Sequence, residues 1–144
     1  MIPAYPDFWT PDFDITHRDD GTVLMSNKAP LAAYLPTIAD YLDKWADATP
    51  DAVWLGRRNA ADKWETITYV QARYKARLIG SYLLALGLGR ERPLVILSEN
   101  SLEHGLMGLA CLYVGVPYAP VSPAYSTLSK DHRKLKDIAH LLQP

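Results

Sequence analysis

The sequence predicts an α/β fold in which parallel strands alternate with crossover helices, beside a small β-hairpin. Two observations predict it. The second half of the chain has the order strand, helix, strand, helix, which is typical of a parallel layer with right-handed crossovers. Earlier in the chain, two short runs rich in β-branched and aromatic residues flank a polar turn, as in a hairpin. With 144 residues, 49% of them hydrophobic, the chain is long enough to bury a core.

The first part of the chain, residues 1–34, is predicted to be an extended arm draped over a body formed by residues 35–144. Aromatic residues stand between acidic ones in this arm, and four prolines oppose helix formation: Pro3, Pro6, Pro11 and Pro30. The division predicts an N-terminal arm over 1–34 and an α/β subregion over 35–144.

The body is predicted to begin with a helix and a hairpin. The helix follows Pro36 and ends at Pro50. Its apolar residues recur with helical spacing: Ile38, Tyr41, Leu42 and Trp45. The strands "AVWLGRR" from Ala52 and "WETIT" from Trp64 are joined by the polar turn "NAADK".

A long helix is predicted next, from about Val70 to Leu86. We expect its buried face to be an apolar stripe with two residues beside it: Tyr74, Leu78, Tyr82 and Leu86, with Ile79 and Leu83. Gly87 and Gly89 follow the helix. A dinucleotide-binding fingerprint needs glycines that follow a strand and open a helix, so this pair predicts a helix C-cap instead.

The parallel layer is predicted from residue 93 onward. "PLVILSEN" (93–100) is an apolar run typical of a strand buried on both faces, and "VPYAPV" is a second short strand. The helix between them, 101–114, has Asn100 or Ser101 as its N-cap. Its inward residues are Leu102, Leu106, Leu109, Ala110 and Tyr113. A last helix is predicted from about Ser129 to Leu142.

Composition excludes several classes of function. Fifteen basic and sixteen acidic residues give a net charge of −1, so no nucleic-acid partner is expected. We expect no signal peptide, membrane span or metal site, because no long apolar run occurs and the four histidines are scattered. The single cysteine, Cys111, lies among apolar residues and is expected to be a buried, inert thiol in a cytoplasmic protein. No glycine-rich phosphate loop of the Walker type occurs.

Polar residues follow both strands of the predicted parallel layer. Ligands in such sheets lie outside the carboxyl ends of the strands, where "SEN" and "SPAYS" stand. The loops predict either a ligand cleft or a simple connection in which Ser122 and Ser126 turn the chain and Tyr125 covers a helix edge. The last helix has an excess of basic residues, which fits either a solvated face or an anion contact: Lys130, Arg133, Lys134 and Lys136.

Several segments occur in the order found in a known superfamily. They are "ITYVQAR" (67–73), the "NS" pair after the apolar strand and the run "GVPYAPVSPAY". The chain resembles the N-terminal portion of the adenylate-forming superfamily, which includes acyl-CoA synthetases, adenylation domains and luciferases. Within it, "ILSENSLEHGLMGLACLYVGVPYAPVSPAYSTLSKDHRKL" is most similar to feruloyl-CoA synthetases, and "DGTVLMSNKAPLAAYLPTIADYLDKWADATPD" fits the same subgroup.

This resemblance implies the N-terminal part of a layered α/β ligase domain with two-step chemistry. ATP and a carboxylate give an acyl-adenylate and pyrophosphate, and the thiol of coenzyme A then displaces AMP, with Mg²⁺ stabilising the phosphate charge. The superfamily's phosphate loop, nucleotide contacts and catalytic lysine would come after residue 144. We therefore expect a fragment of a hydroxycinnamate-activating enzyme that is inactive alone, binds none of these cofactors tightly and carries no catalytic residue.

The resemblance also places the "SPAYS" turn near the mouth of the coenzyme A channel. It makes Ser122, Tyr125 and Lys130 candidates for peripheral contact with the substrate or coenzyme A. A second hypothesis is a stand-alone, non-catalytic α/β module that docks onto a partner protein. A sheet that is cut short exposes apolar edges and helix faces, so self-association is expected as well.

Overall fold

A computed structural model describes residues 12–144 and confirms the α/β fold. The contacts divide the chain into two units, Met1–Tyr34 and Leu35–Pro144. The elements of the described part are, in order, β1 (Phe13–His17), β2 (Val23–Asn27), α1 (Ile38–Ala48), β3 (Val53–Arg58), β4 (Trp64–Thr68), α2 (Tyr69–Ala85), β5 (Leu94–Ile96), α3 (Leu102–Val114), β6 (Tyr118–Pro120), α4 (Ala124–Thr127) and α5 (Arg133–Leu142). They form three two-stranded sheets, of which β1–β2 and β3–β4 are antiparallel and β5–β6 is parallel.

The first unit contains a hairpin that the sequence reading missed. Strands β1 and β2 pair antiparallel from Phe13 opposite Asn27 to His17 opposite Val23. Their turn is built on Asp20 and Gly21: the Asp20 carboxylate accepts the Thr22 N–H at 2.9 Å, and Gly21 has a φ of +83°. An Asp-Gly pair between alternating residues favours a hairpin turn. The prolines led to the prediction of an extended arm, whereas residues 13–27 form a hairpin. The part of that prediction that concerns residues 1–11 lies outside the described residues.

The predicted helix and hairpin at the start of the second unit are confirmed. Helix α1 begins with a capping box, in which Thr37 accepts the Asp40 N–H and the Asp40 carboxylate accepts the Thr37 N–H. Strands β3 and β4 pair across the predicted polar turn, with Arg57 opposite Glu65. The side chains of this pair form an ion pair at 3.0 Å.

Helix α2 buries only the edge of the predicted face. Of that face, Leu83 is buried and Ile79 is half-buried, and the other buried residues are Ala72, Ala76 and Gly80. The predicted stripe itself is exposed: 65% at Tyr74, 56% at Leu78, 64% at Tyr82 and 47% at Leu86. The reason is the distance to α3. A Cβ at Gly80 would lie 2.5 Å from Val114 Cγ1, so the two helices approach too closely for large side chains.

Helix α3 lies at the centre of the second unit and touches its neighbours at glycines. A Cβ at Gly105 would lie 2.7 Å from Leu55 Cδ2 on β3. A Cβ at Gly108 would lie 3.1 Å from three atoms of the Tyr118 side chain on β6. Glycine inside a helix lowers stability by about 1 kcal/mol relative to alanine. The close packing of Gly105 against β3 and of Gly108 against β6 explains why glycine occupies these two positions.

The core around α3 is confirmed in most of its predicted residues. Leu102, Leu106, Leu109 and Ala110 are buried, and Tyr113 is half-buried. Cys111 is also buried, with 0% of its surface exposed, and this burial raises the pKa of its thiol.

Both long helices end in the same glycine motif. Gly87 after α2 and Gly115 after α3 have φ angles of +76° and +72°. After each glycine, the next residue donates its N–H to a carbonyl five residues earlier: Leu88 to Leu83, and Val116 to Cys111. These are Schellman caps, so the C-cap interpretation of Gly87 is confirmed.

The parallel pair is shorter than predicted. Strand β5 spans three residues and pairs with β6 from Leu94 opposite Tyr118 to Ile96 opposite Pro120. Only Ile96 of β5 is buried, so the prediction of a strand buried on both faces is wrong. The β5–β6 sheet has only two strands among the described residues, and these residues do not provide an element that buries both faces of β5.

The last predicted helix, from about Ser129 to Leu142, is shorter than predicted, and the single turn α4 that precedes it was not predicted. Helix α5 begins at Arg133 instead of Ser129, because His132 adopts a left-handed conformation with φ of +53°. The Ser129 hydroxyl accepts the His132 N–H at 3.1 Å and fixes this bend. The prediction failed because the bend depends on a local hydrogen bond between a side chain and the backbone, which no apolar periodicity reveals.

A polar network ties three helices together on the outside of the core. The Tyr113 hydroxyl of α3 donates to Asp43 Oδ2 of α1 at 2.9 Å and accepts from Arg77 Nε of α2 at 2.8 Å. Arg73 of α2 pairs with Asp47 of α1. The network therefore joins α1, α2 and α3 through one hydroxyl and three ion pairs, which are Arg73–Asp47, Arg73–Asp43 and Arg77–Asp43.

We predict that Gly80→Ala destabilises the chain although it improves helix propensity. Alanine gains about 1 kcal/mol of propensity, but its methyl group meets a β-branched side chain, and overpacking costs about 1–3 kcal/mol. Urea unfolding should show a net loss of about 1 kcal/mol. Ser81→Ala, one residue further at an exposed position, is the control and should be neutral. Adding Val114→Ala to Gly80→Ala should recover part of the loss; an unchanged urea midpoint for Gly80→Ala alone would contradict the close approach.

Candidate functional site

The two polar loops of the parallel pair begin at the same edge of the sheet. The last residues of the strands, Ile96 and Pro120, are opposite each other, and the Val121 N–H donates to the Ile96 carbonyl at 3.0 Å. Ser98 and Ser122 each follow two residues beyond this pair. The register therefore starts both loops at the carboxyl edge, where ligands of parallel sheets lie.

The loop after β5 is organised by the start of α3. Ser101 is the N-cap, and its hydroxyl accepts the His104 N–H at 3.0 Å, which confirms one of the two predicted caps. Ser98 Oγ lies 3.1 Å from His104 Nδ1. The imidazole is half-buried, and its pairing with Ser98 was not predicted, because the two residues are six apart across a cap.

The loop after β6 folds into the single turn α4. The Tyr125 N–H donates to the Ser122 carbonyl at 3.0 Å, and the Ser126 hydroxyl donates to the Pro123 carbonyl at 2.9 Å. Thr127 repeats this bond to Pro123 at 2.9 Å. Ser126 therefore turns the chain, as one of the two open interpretations had it, whereas the Ser122 side chain is exposed at the sheet edge.

An open depression of about 440 Å³ lies between α4 and α5, within the size range of small-molecule sites. Its lining residues are Ala124, Tyr125, Leu128, Ser129, Asp131, Arg133 and Lys134. Of the three candidates from the sequence, Tyr125 lines it. Ser122 and Lys130 are exposed and are not among its lining residues.

Asp131 organises one wall of this depression. Its Oδ1 accepts the Ser129 hydroxyl and the Arg133 N–H, each at 3.1 Å, while its backbone carbonyl accepts Lys136 Nζ at 3.1 Å. The hydrogen bond from the Arg133 backbone and then that from Ser129 lower the pKa of Asp131. This role of Asp131 was not predicted, because it depends on hydrogen bonds to residues two positions away and on no periodic pattern.

Cations border the depression on its other side. Lys134 Nζ lies 5.4 Å from the centre of the Tyr125 ring, within the range of a cation–π contact, and Arg133 adds a second cation. Two cations beside an aromatic ring suit an anionic ligand that also carries a flat or apolar group. Within 12–144, no three His, Cys, Asp or Glu residues come together as a metal site.

Comparison with known proteins gives the arrangement its context. The profile of a family described as "AMP-binding enzyme" matches residues 42–136, from within α1 to within α5. The chain belongs to the AMP-binding enzyme family. The match includes the parallel pair, both strand-end loops and every residue that lines the depression.

Members of this family in other organisms show the same likeness. The chain is 34% identical over 94 residues to phosphinothricin tripeptide synthetase PhsB of Streptomyces viridochromogenes, covering 65% of this chain and 7% of that protein. It is 26% identical over 114 residues to nonribosomal peptide synthetase TES of Alternaria alternata, covering 78% of this chain and 2% of that protein.

Among solved structures, a fatty acid AMP ligase from Legionella pneumophila superimposes with a TM-score of 0.68 at 25% identity. This likeness covers 75% of the chain and 18% of the ligase. The chain thus spans a small part of the length of each of these relatives. The family and fold predictions are confirmed at the level of adenylate-forming ligases, and the α/β module that only binds a partner is not favoured.

We predict that Asp131 titrates below an ordinary aspartate. Its lowered pKa in the folded state means that its bonds to Ser129 and Arg133 add stability at pH values above the unfolded pKa, and that this contribution is lost as the pH falls through the folded pKa. The start of α5 should therefore loosen only in acid, below about pH 4. Carbon-13 NMR of the carboxyl group measures the pKa, and amide exchange at Arg133 reports the loosening. A pKa equal to that in a peptide of residues 129–133 would contradict the bonds.

Proposed function

We propose that the chain is the N-terminal part of a longer, ATP-dependent acyl-CoA synthetase that activates an aromatic acid such as ferulate or another hydroxycinnamate. The observation that carries the proposal is the family match over residues 42–136, which includes the carboxyl edge of the parallel pair and the loops beside it. The small share of each relative's length, 7% of PhsB and 18% of the Legionella ligase, supports a part of a larger enzyme.

The proposed reaction has two steps. An oxygen of the acid attacks the α-phosphorus of ATP, so that an acyl–phosphate bond forms and pyrophosphate leaves. The sulfur of coenzyme A then attacks the acyl carbon, a thioester forms, and AMP leaves with the former acid oxygen. Mg²⁺ would neutralise phosphate charge when ATP is bound. The depression is lined by two cations, Arg133 and Lys134, and it lies beside turns, whereas a triphosphate needs a loop whose backbone amides surround it. The isolated chain is therefore proposed to be inactive.

The role of the chain in that enzyme would be to shape the entrance used by coenzyme A. The depression beside Tyr125 combines an aromatic ring with the cations of Arg133 and Lys134, and Lys130 lies on the exposed segment that leads into α5. A coenzyme that carries phosphates and an adenine ring has the chemistry this surface favours. Ser122, at the sheet edge, would contact the same ligand or the acid.

The most specific part of the proposal is that the acid is aromatic. It is supported by the resemblance of residues 96–135 to feruloyl-CoA synthetases, whereas the names of the relatives point to fatty acids and to peptide synthesis. We further propose a cytoplasmic location, which a single buried cysteine fits, because a reducing compartment leaves it unpaired. No helix within 12–144 is long and apolar enough to cross a membrane.

We predict that the purified 144-residue chain forms no feruloyl-CoA from ferulate, ATP, Mg²⁺ and coenzyme A. A protein in which the reading frame continues past Pro144 should release pyrophosphate when given an acid. Absorbance of feruloyl-CoA and a coupled pyrophosphate assay measure the two steps separately. Turnover by the chain alone would overturn the proposal of a partial enzyme, as would a natural stop codon at Pro144. Pyrophosphate release with fatty or amino acids but not with ferulate would overturn only the aromatic substrate.

We predict that Tyr125→Ala and Lys130→Ala in that longer enzyme raise the KM for coenzyme A about two- to five-fold, the range expected when one exposed charge or ring contact is lost. The KM for ATP and the rate of ATP–pyrophosphate exchange should stay unchanged, because the first step does not use coenzyme A. Lys63→Ala, at the exposed turn between β3 and β4, is the matched control. Equal changes in the KM values for ATP and coenzyme A would indicate a structural role and contradict the channel assignment.

A further inference from the structure

The outward face of α2 is an apolar surface that the proposed function does not use. Tyr74, Leu78 and Tyr82 are spaced four residues apart and therefore lie along one side of the helix. They are exposed by 65%, 56% and 64%, and they lie opposite the small residues that pack against α3. We call this surface, together with the exposed Lys75 and Ser81 beside it, the tyrosine face.

The arrangement of the tyrosine face is self-complementary. Suppose that two copies of α2 lie antiparallel, with their Leu78 residues at the two-fold axis. A residue three or four positions before Leu78 in one copy then faces a residue three or four positions after Leu78 in the other copy. Lys75 then faces Tyr82, so that a cation meets an aromatic ring. Tyr74 faces Ser81, so that a large ring meets a small side chain.

Charge also favours a second copy. Of the two charged residues between Tyr74 and Tyr82, Lys75 and Arg77, Lys75 borders the tyrosine face. The antiparallel arrangement places the two Lys75 residues at opposite ends of the contact. Arg77, on the flank, is engaged by Asp43 and by the Tyr113 hydroxyl. No like charges therefore meet at the centre, where two leucines lie.

We propose that the tyrosine face is the contact through which two copies of this chain associate, with their α2 helices antiparallel about Leu78. An aromatic side chain buries about 150–250 Å², so two tyrosines at two-thirds exposure, one leucine and their neighbours offer roughly 400–500 Å² per copy. The total of roughly 800–1,000 Å² is below the size of a standard stable interface. The dimer is therefore expected to be weak and reversible.

Sedimentation equilibrium of the 144-residue chain over a concentration series tests the proposal. We expect a monomer–dimer equilibrium that Leu78→Glu weakens at least ten-fold, because two carboxylates then meet at the axis. Leu84→Glu is the matched control: Leu84 is 51% exposed on the same helix but lies on a different side, so this variant should dimerise like the unaltered chain. Circular dichroism of both variants confirms that α2 is still folded.

Cross-linking tests the direction of the helices. Leu78→Cys should form an intermolecular disulfide readily under mild oxidation, because equivalent residues meet at the two-fold axis, whereas Leu84→Cys should not. The natural Cys111 is fully buried and does not compete. A chain that stays monomeric at millimolar concentration would overturn the proposal and leave another protein as the occupant of this face. Equal weakening by Leu78→Glu and Leu84→Glu, or equal cross-linking, would overturn it as well.

Discussion

The close approach of α3 to its neighbours is the contact on which the rest of the second unit depends. Helix α3 meets α2, β3 and β6 where one partner has no side chain, at Gly80, Gly105 and Gly108. At these three positions a Cβ atom would lie 2.5, 2.7 and 3.1 Å from the neighbouring side chain, so a larger residue would push the elements apart. The parallel pair, its carboxyl edge and the loops beside it are thereby held against one central helix.

Short local features of the chain after β6 then shape the surroundings of the depression. Strand β6 ends where its pairing with β5 ends, the proline-containing turn becomes α4, and the left-handed His132 redirects the chain into α5. Asp131 then holds the start of α5 by accepting the Ser129 hydroxyl and the Arg133 N–H. The result is an open surface with cations and an aromatic ring, which is the ligand contact proposed above.

Most elements of the second unit and their order were predictable from the sequence because periodicity, caps and turns are local signals, whereas the β1–β2 hairpin and the turn α4 were missed. Ser101 and Gly87 marked helix ends correctly. The buried side of α2 was not predictable from hydrophobicity, because the large apolar residues Tyr74 and Tyr82 face outward and small ones face the core. The distance between α2 and α3 determines which side of α2 is buried, and this distance cannot be derived from the hydrophobic pattern of a single sequence.

The candidate site was predictable in part for the same reason. The register of a parallel pair brings both loops to one edge, and Tyr125, a candidate through the resemblance to the adenylate-forming superfamily, lines the depression. Ser129 and Asp131 were missed, since their contribution lies in hydrogen bonds across two to four residues that no periodic pattern reveals. The pairing of Ser98 with His104 was missed in the same way.

The contact between Gly108 and Tyr118 has a consequence for how this chain can change over evolution. The Tyr118 ring lies directly over the bare backbone of Gly108, so the size of one residue limits the size of the other. A larger residue at position 108 is accommodated only together with a smaller one at 118, or with a shift of β6 that carries the strand-end loop along. The two positions therefore form a coupled pair, through which a helix in the core constrains the sequence of a strand beside the candidate site.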